Sequence, residues 1–274
     1  MVLSDPQVES DKNWIATSAS GERIYVTFNA RYPLVAYSTD RGATFTPPAP
    51  LREPDDVHYF YAGGAAVLSD GSIHFAYGAP LNGEDDGDPD GDNATISSTS
   101  SSSERRRRQI QQPHAAGTFG GANLPYENST IFEVYSSYDG GATWSTATVD
   151  WCQFTQVCPD SAECGSPEEF LDGQMGMAKD AADVLYVLYQ CNYHLSKPAR
   201  ILFAKTIAPG NWTVGVDVSD APTDKNVFHD LPTIAAGNAS DVRIMWMDNR
   251  TGSWNVYYRE STDGGSTWTP SIGS

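Results

Sequence analysis

The feature that most constrains this chain is a turn it writes three times: "YSTDRGATF" at residues 37–45, "YSSYDGGATW" at 135–144 and "YRESTDGGSTW" at 258–268. Each copy follows a run of alternating apolar residues, and the shared pattern is S/T-x-D-x-G-x-T-W/F. The aspartate, Asp40, Asp139 or Asp263, has a carboxylate short enough to accept backbone N–H groups inside its own turn. The glycines two residues on, Gly42, Gly141 and Gly265, supply the positive φ that other residues avoid. The closing aromatic, Phe45, Trp144 or Trp268, is placed to pack beneath the hairpin and fasten it to the sheet. A turn rewritten along one chain signals repeated supersecondary units.

Aligning on these turns divides the chain into four units of four strand-like runs. The first reads "WIATSA", "RIYVTFNA", "PLVAYSTD", "TFTPPAPL"; the second "YAGGAAVLSD", "SIHFAYGA", "TIFEVYSSYD", "TWSTATVD". The third reads "QMGMAKDA", "VLYVLYQC", "RILFAKTI", "WTVGVDVS"; the last "LPTIAAG", "DVRIMWMDN", "WNVYYREST", "TWTPSIGS". The third has lost the aspartate turn and carries "KTIAPGNWTV" instead. Short strands at even spacing, repeating about every 40 to 50 residues, predict an all-β chain: a β-propeller of four-stranded antiparallel blades, with four blades legible. Residues 1–274 read as a single propeller domain. A propeller ring must close, because an open strand edge pairs with other chains. Four blades are either part of a larger propeller, the preferred expectation, or a small ring whose outer edge Met1 to Ser10 completes.

One segment breaks the pattern. Residues 82–127 interrupt the second unit and hold "DDGDPDGD", a serine tract and "RRRR" at Arg105 to Arg108. So polar a segment cannot bury enough apolar surface to order itself, and it is expected to be a disordered excursion. "DDGDPDGD" lacks the register of a calcium loop, so no metal or cofactor is called.

Three copies of the turn identify it as the Asp-box, and the chain resembles the BNR/Asp-box propellers of the sialidase superfamily over nearly its whole length. The resemblance implies six blades, Asp-box residues that are structural, and an exo-glycosidase that removes a terminal sialic acid. It also implies three arginines on the substrate carboxylate, the first in an R-I-P motif, with a tyrosine nucleophile paired to a glutamate. No R-I-P occurs here. "ARYP", Arg31 to Pro33, is a superficial echo, and the contexts of Arg52 and Arg250 do not match the arginine triad. The non-catalytic alternative is an Asp-box propeller that binds glycan or protein through one face, since a fold does not dictate a function.

Blade topology places that face. The first–second and third–fourth turns share one side, where the Asp-boxes lie, so a site belongs on the other side, around the central channel. Acidic residues precede the innermost strands there: Asp11, Asp172 and Asp230. The second strands end in Asn29, Gln190 and Asp248. Asp230 and Asp248 are the candidate catalytic pair, on the expectation that two carboxyls at roughly 5 to 9 Å serve a glycosidase and that one has a raised pKa. Arg31, Asp172, Gln190, Tyr193, His194 and Arg250 are the candidate substrate-binding groups.

Charge and cysteines bound the partners. Seventeen basic against 35 acidic residues give a formal charge of −18, which repels phosphate backbones and excludes nucleic acid as a partner. The expected partner is a glycan or glycoconjugate, with protein as an alternative. No apolar run approaches the roughly 20 residues of a membrane span. Cys152, Cys158, Cys164 and Cys191 lack C-x2-C spacing, so two disulfides are favoured over free thiols or a metal site, and three pairings remain open. Together with sequons at Asn93, Asn128, Asn211, Asn238 and Asn249, they point to an extracellular or secreted protein whose leader is absent from this chain.

Overall fold

Period-two runs rich in β-branched and aromatic residues form strands here, and the turns fall where Gly, Asp and Ser cluster. The computed structural model describes residues 11–29, 32–52, 60–80, 129–153, 174–191, 198–222 and 227–273. The 82–127 excursion and residues 1–10 lie outside the described residues. Blade 1 comprises β1 (Asp11–Thr17), β2 (Ile24–Asn29), β3 (Pro33–Ser38) and β4 (Ala49–Pro50). Blade 2 comprises β5 (Tyr61–Val67), β6 (Ile73–Pro80), β7 (Ser129–Ser137) and β8 (Ser145–Gln153). Blade 3 holds β9 (Met175–Lys179), β10 (Leu185–Cys191), β11 (Arg200–Ala208), β12 (Asn211–Trp212) and β13 (Val216–Asp217). Blade 4 holds β14 (His229–Ala236), β15 (Val242–Asp248), β16 (Asn255–Ser261) and β17 (Ile272–Gly273). Strands within a blade pair antiparallel in chain order; β12 and β13 are two pieces of one outer strand, both paired with β11. The architecture is the propeller that the repeat predicts.

The outer strands of blades 1, 3 and 4 are shorter than their apolar runs, whereas β8 of blade 2 is complete. "TFTPPAPL" keeps ladder pairing only at Ala49–Pro50, because Pro47 and Pro48 have no N–H to donate. The inner strands pack in series, β1 on β5, β5 on β9 and β9 on β14. Small residues permit this approach: a Cβ on Gly64 would stand 2.7 Å from the Met177 backbone nitrogen. Aromatic and aliphatic side chains fill each joint. Tyr25, Phe60, Phe75, Tyr77 and Tyr135 lie between blades 1 and 2. Phe132, Met177, Val187 and Tyr189 lie between blades 2 and 3, and Tyr186, Phe203, Ile244 and Trp246 between blades 3 and 4. Middle blades are therefore buried on both faces. Blade 4 leaves Met245 and Val256 exposed on its other face, at 44% and 42%.

The three Asp-boxes repeat nearly atom for atom. Ser38, Ser137 and Ser261 donate Oγ–H to the Asp Oδ1 at 2.7, 2.9 and 2.7 Å, and each receives the box glycine N–H at 2.8 Å. Thr44, Thr143 and Thr267 donate backbone N–H to Oδ1 and hydroxyl to Oδ2, the latter at 2.6 Å in every copy. Gly42, Gly141 and Gly265 adopt φ of +85°, +98° and +83°. Trp144 packs on Phe75 and Trp268 on Phe203, at 5.6 and 5.1 Å between ring centroids. Blade 3 replaces the box with a turn at Gly210 but keeps its aromatic, Trp212, on the core.

These bonds hold the box carboxyls at about 2, the threonine hydroxyl contributing most. A carboxyl whose folded pKa is depressed stabilises the fold fully above its unfolded value of about 4 and loses that contribution as pH falls through about 2. Asp263→Ala is therefore expected to lower Tm at neutral pH and to lose this disadvantage in strong acid, with ligand binding unchanged. Thermal melts from pH 7 downward check it; a folded variant with unchanged Tm but lost binding would remove the box from its structural role.

Candidate functional site

Inner strands begin at the face opposite the Asp-boxes, where second strands end. Register joins these ends: Asp11 pairs Asn29, the Gln190 N–H bonds the Gln174 carbonyl at 3.2 Å, and His229 pairs Asp248. Asn29, Gln190, Asp230 and Asp248 thus stand on one rim. Arg31, Asp172, Tyr193 and His194 lie outside the described residues, as do Cys158 and Cys164.

The structure does not build the Asp230–Asp248 pair. Asp230 is opposite Met247, one place along from the His229–Asp248 pair. Side chains alternate faces along a strand, so Asp248 shares its face with His229 and Asp230 points to the other. Asp248 is fully buried. It accepts Trp246 Nε1 at 2.9 Å and Arg250 through the backbone N–H at 3.0 Å, Nε at 2.9 Å and Nη2 at 2.6 Å. Arg250 is likewise spent. Its remaining donors go to Asp220, the Ser219 carbonyl and Ser271, and its plane lies 4.0 Å from the Tyr257 ring centroid. The pair ties the blade 4 loop to the outer edge of blade 3, so Arg250 has no donor left for a ligand.

Asp230 differs. It is 6% exposed, and its one hydrogen bond among the described residues is from the Leu231 N–H at 2.8 Å. No described cation balances it. Burial pushes its carboxyl up to about 6, against the opposing pull of that N–H. A carboxyl so placed is neutral in mild acid and able to donate a proton.

Three more rim groups each have one polar atom sealed without a partner. Gln190 gives its amide Nε2 to the His229 carbonyl at 2.6 Å, leaving Oε1 buried and unbonded. Asn29 Oδ1 is in the same state. His229 bonds the Ala199 carbonyl through Nδ1 at 2.9 Å, and burial pushes its pKa down to about 4. In the neutral ring Nδ1 carries the hydrogen, so the unpartnered Nε2 is an acceptor, 3.9 Å from Asp248 Oδ2. All three are buried acceptors without a described donor.

Cys152 on β8 and Cys191 on β10 form a disulfide across 5.3 Å between Cα atoms, tying blade 2 to blade 3. Asp150 lies beside these sulfurs, but a disulfide offers no thiolate to a metal. Tyr189 donates its hydroxyl to Asp150 at 2.7 Å.

Two networks escaped sequence reasoning. Glu133 receives Arg52 at 3.1 Å and the Tyr135 hydroxyl at 2.6 Å between blades 1 and 2. Its signal was a lone acid in the apolar run "TIFEVYSS". Asp180, in the β9–β10 turn, receives the Ala182 and Val184 N–H groups, the Tyr186 hydroxyl and the Ser240 N–H, linking blades 3 and 4. The "KDAAD" turn carried the same Asx signal as the Asp-boxes. His229 had none.

No protein-family model and no curated protein sequence matches the chain; its similarity to known proteins is in fold. It is 13% identical to the GH93 α-L-arabinofuranosidase of Fusarium graminearum in complex with arabinobiose, with a TM-score of 0.57, over 98% of this chain and 67% of that one. The α-L-arabinanase of Penicillium chrysogenum complexed with arabinobiose is 12% identical, with a TM-score of 0.54, over 96% and 66%. The NanB sialidase of Streptococcus pneumoniae is 11% identical, with a TM-score of 0.52, over 100% and 53%. The chain thus spans between about half and two thirds of these proteins.

Proposed function

We propose that this chain is a propeller acting on glycans at its channel mouth, as a glycoside hydrolase in which Asp230 protonates the leaving oxygen. The observation that carries the reading is the Asp230 carboxyl, buried at the head of the inner strand β14, without a described cation and titrating at about 6. The arabinan-cleaving enzymes and the sialidase that share the fold support it by analogy. A neutral terminal sugar is favoured over sialic acid. Arg52, Arg200, Arg250 and Arg259 are engaged with Glu133, Asp217, Asp248, Asp220 and backbone carbonyls, and the chain is strongly acidic. The Cys152–Cys191 bond supports an oxidising, extracellular setting.

A second reading, glycan binding without cleavage, is favoured by one observation. The other candidate carboxylate, Asp248, is committed to Arg250. A screen of arylglycosides, including an α-L-arabinofuranoside and a sialoside, across pH separates the two. If Asp230 is the acid, turnover falls as pH rises above about 6, and Asp230→Asn lowers kcat about a hundredfold or more. A carboxyl with a raised folded pKa favours the fold below its unfolded value and loses that advantage as pH rises through about 6. Asp230→Asn is therefore expected to raise stability at neutral pH while removing turnover. Binding of arabinobiose with no glycoside cleaved at any pH would select the binding module.

A further inference from the structure

A cleft opens on the Asp-box face, away from the channel mouth. Its walls are the β1–β2 turn of blade 1, the β5–β6 turn of blade 2 and the second Asp-box, and it is lined by Ser18, Ser20, Arg23, Tyr25, Asp70 and Tyr138 among others. Tyr25 is 1% exposed, and its hydroxyl has no hydrogen-bond partner. A buried hydroxyl without a partner forgoes its hydration, and its place in a cleft wall leaves that bond to a ligand atom. Arg23 lies over Gly140 and beside the Tyr25 hydroxyl, whose pull raises its pKa; the two groups stop short of hydrogen-bonding geometry, and no described carboxylate forms an ion pair with Arg23. Asp70 uses Oδ1 on the Ser72 N–H and hydroxyl at 2.8 and 2.6 Å, leaving Oδ2 as an acceptor. Tyr138 presents a ring that is 55% exposed, steadied edge-on by His74 at 5.9 Å. His74 is in turn held between Ser72 and Ser136, at 3.0 and 2.8 Å.

We propose that this cleft is a second glycan site, one that holds a neutral saccharide on the Asp-box face. A sugar hydroxyl both donates and accepts, and the cleft offers both roles: Arg23, Tyr25, Ser18 and Ser20 as donors, Asp70 and Glu22 as acceptors. The exposed Tyr138 ring is a platform for the apolar face of a pyranose or furanose. An anionic sugar is disfavoured because the lining sets the carboxylates of Glu22, Asp70 and Asp139 against Arg23, and Arg41, a further cation, is paired with Glu22 at 3.4 Å. Asp139 itself contributes only charge, since its oxygens are taken by the Asp-box. The site stands whether or not the channel mouth is catalytic.

The test is calorimetric titration of the full chain with arabinobiose, cellohexaose and xylohexaose, with trigalacturonate as the anionic control. At least one neutral saccharide is expected to bind saturably, and trigalacturonate to bind the cleft more weakly. Tyr138→Ala is expected to weaken that binding roughly tenfold, the loss of about one stacking contact. Ser20→Trp, at an exposed rim position, fills the cleft and should abolish it. Tyr25→Phe is the discriminating change: it removes an unpartnered hydroxyl, so Tm is expected to hold or rise while affinity falls several-fold. Asp230→Asn should leave this binding intact. No saturable binding of any neutral saccharide at millimolar concentration overturns the proposal, and so does binding that Tyr138→Ala, Ser20→Trp and Tyr25→Phe all leave unchanged.

Discussion

Asp248→Asn is expected to destabilise the fold by about 3 to 5 kcal/mol, the cost of removing one partner from a buried ion pair. The Asp248 side chain is completely buried and its Arg250 partner 15% exposed, so solvent cannot repair the loss. An asparagine of the same shape keeps one acceptor oxygen but turns an NH2 group towards the donors of Trp246 and Arg250. Arg250 retains Asp220, which is 27% exposed, and this keeps the expected cost within the range rather than above it. The measurement is urea unfolding of the variant beside the parent. The outcome that would restore Asp248 to the chemistry is a variant as stable as the parent and devoid of turnover. Asp230→Asn supplies the contrast, since it removes a carboxyl that burial makes costly to ionise.

The second large effect concerns the covalent link. Replacing Cys152 and Cys191 by serine is expected to cost about 4 kcal/mol, the loop-closure value for a separation of 39 residues. The bond joins the outer strand of blade 2 to the second strand of blade 3, where Phe132, Met177 and Tyr189 already pack. Its loss therefore leaves the joint apolar and correctly shaped, and the effect should appear as a lower unfolding midpoint rather than as loss of fold. Unfolding with and without reductant reads it directly. An unchanged midpoint would show that packing alone holds blades 2 and 3 together.

What the chain's sequence determined by itself is what short-range physics writes. Asp40, Asp139 and Asp263 bond partners two to four residues away, so serine, aspartate, glycine and threonine at fixed spacing suffice to specify the turn. Period-two alternation and the small residues of "YAGGAAV" likewise made the strands and blades legible. The outer strand of blade 1 is shorter than its apolar pattern because Pro47 and Pro48 remove donors without altering that pattern. The candidate site was only partly legible. Asp230, Gln190 and Asp248 do stand on one rim, but strand alternation sends Asp230 and Asp248 to opposite faces, and that depends on the register at His229.

Only the tertiary structure decided the rest, because the deciding partners are distant in sequence. Arg250 is saturated by Ser219, Asp220 and Ser271, which are 31, 30 and 21 residues away. Arg52 reaches Glu133 across 81 residues. Cys152 meets Cys191 because two blades pack, a pairing that spacing left among three alternatives. The raised titration of Asp230 comes from burial, which exists only once β14 lies against its neighbours. Local bonds can be read from spacing; desolvation and long-range pairing follow from how the blades pack, and they separate the buried Asp230, which no described cation balances, from the ion-paired Asp248.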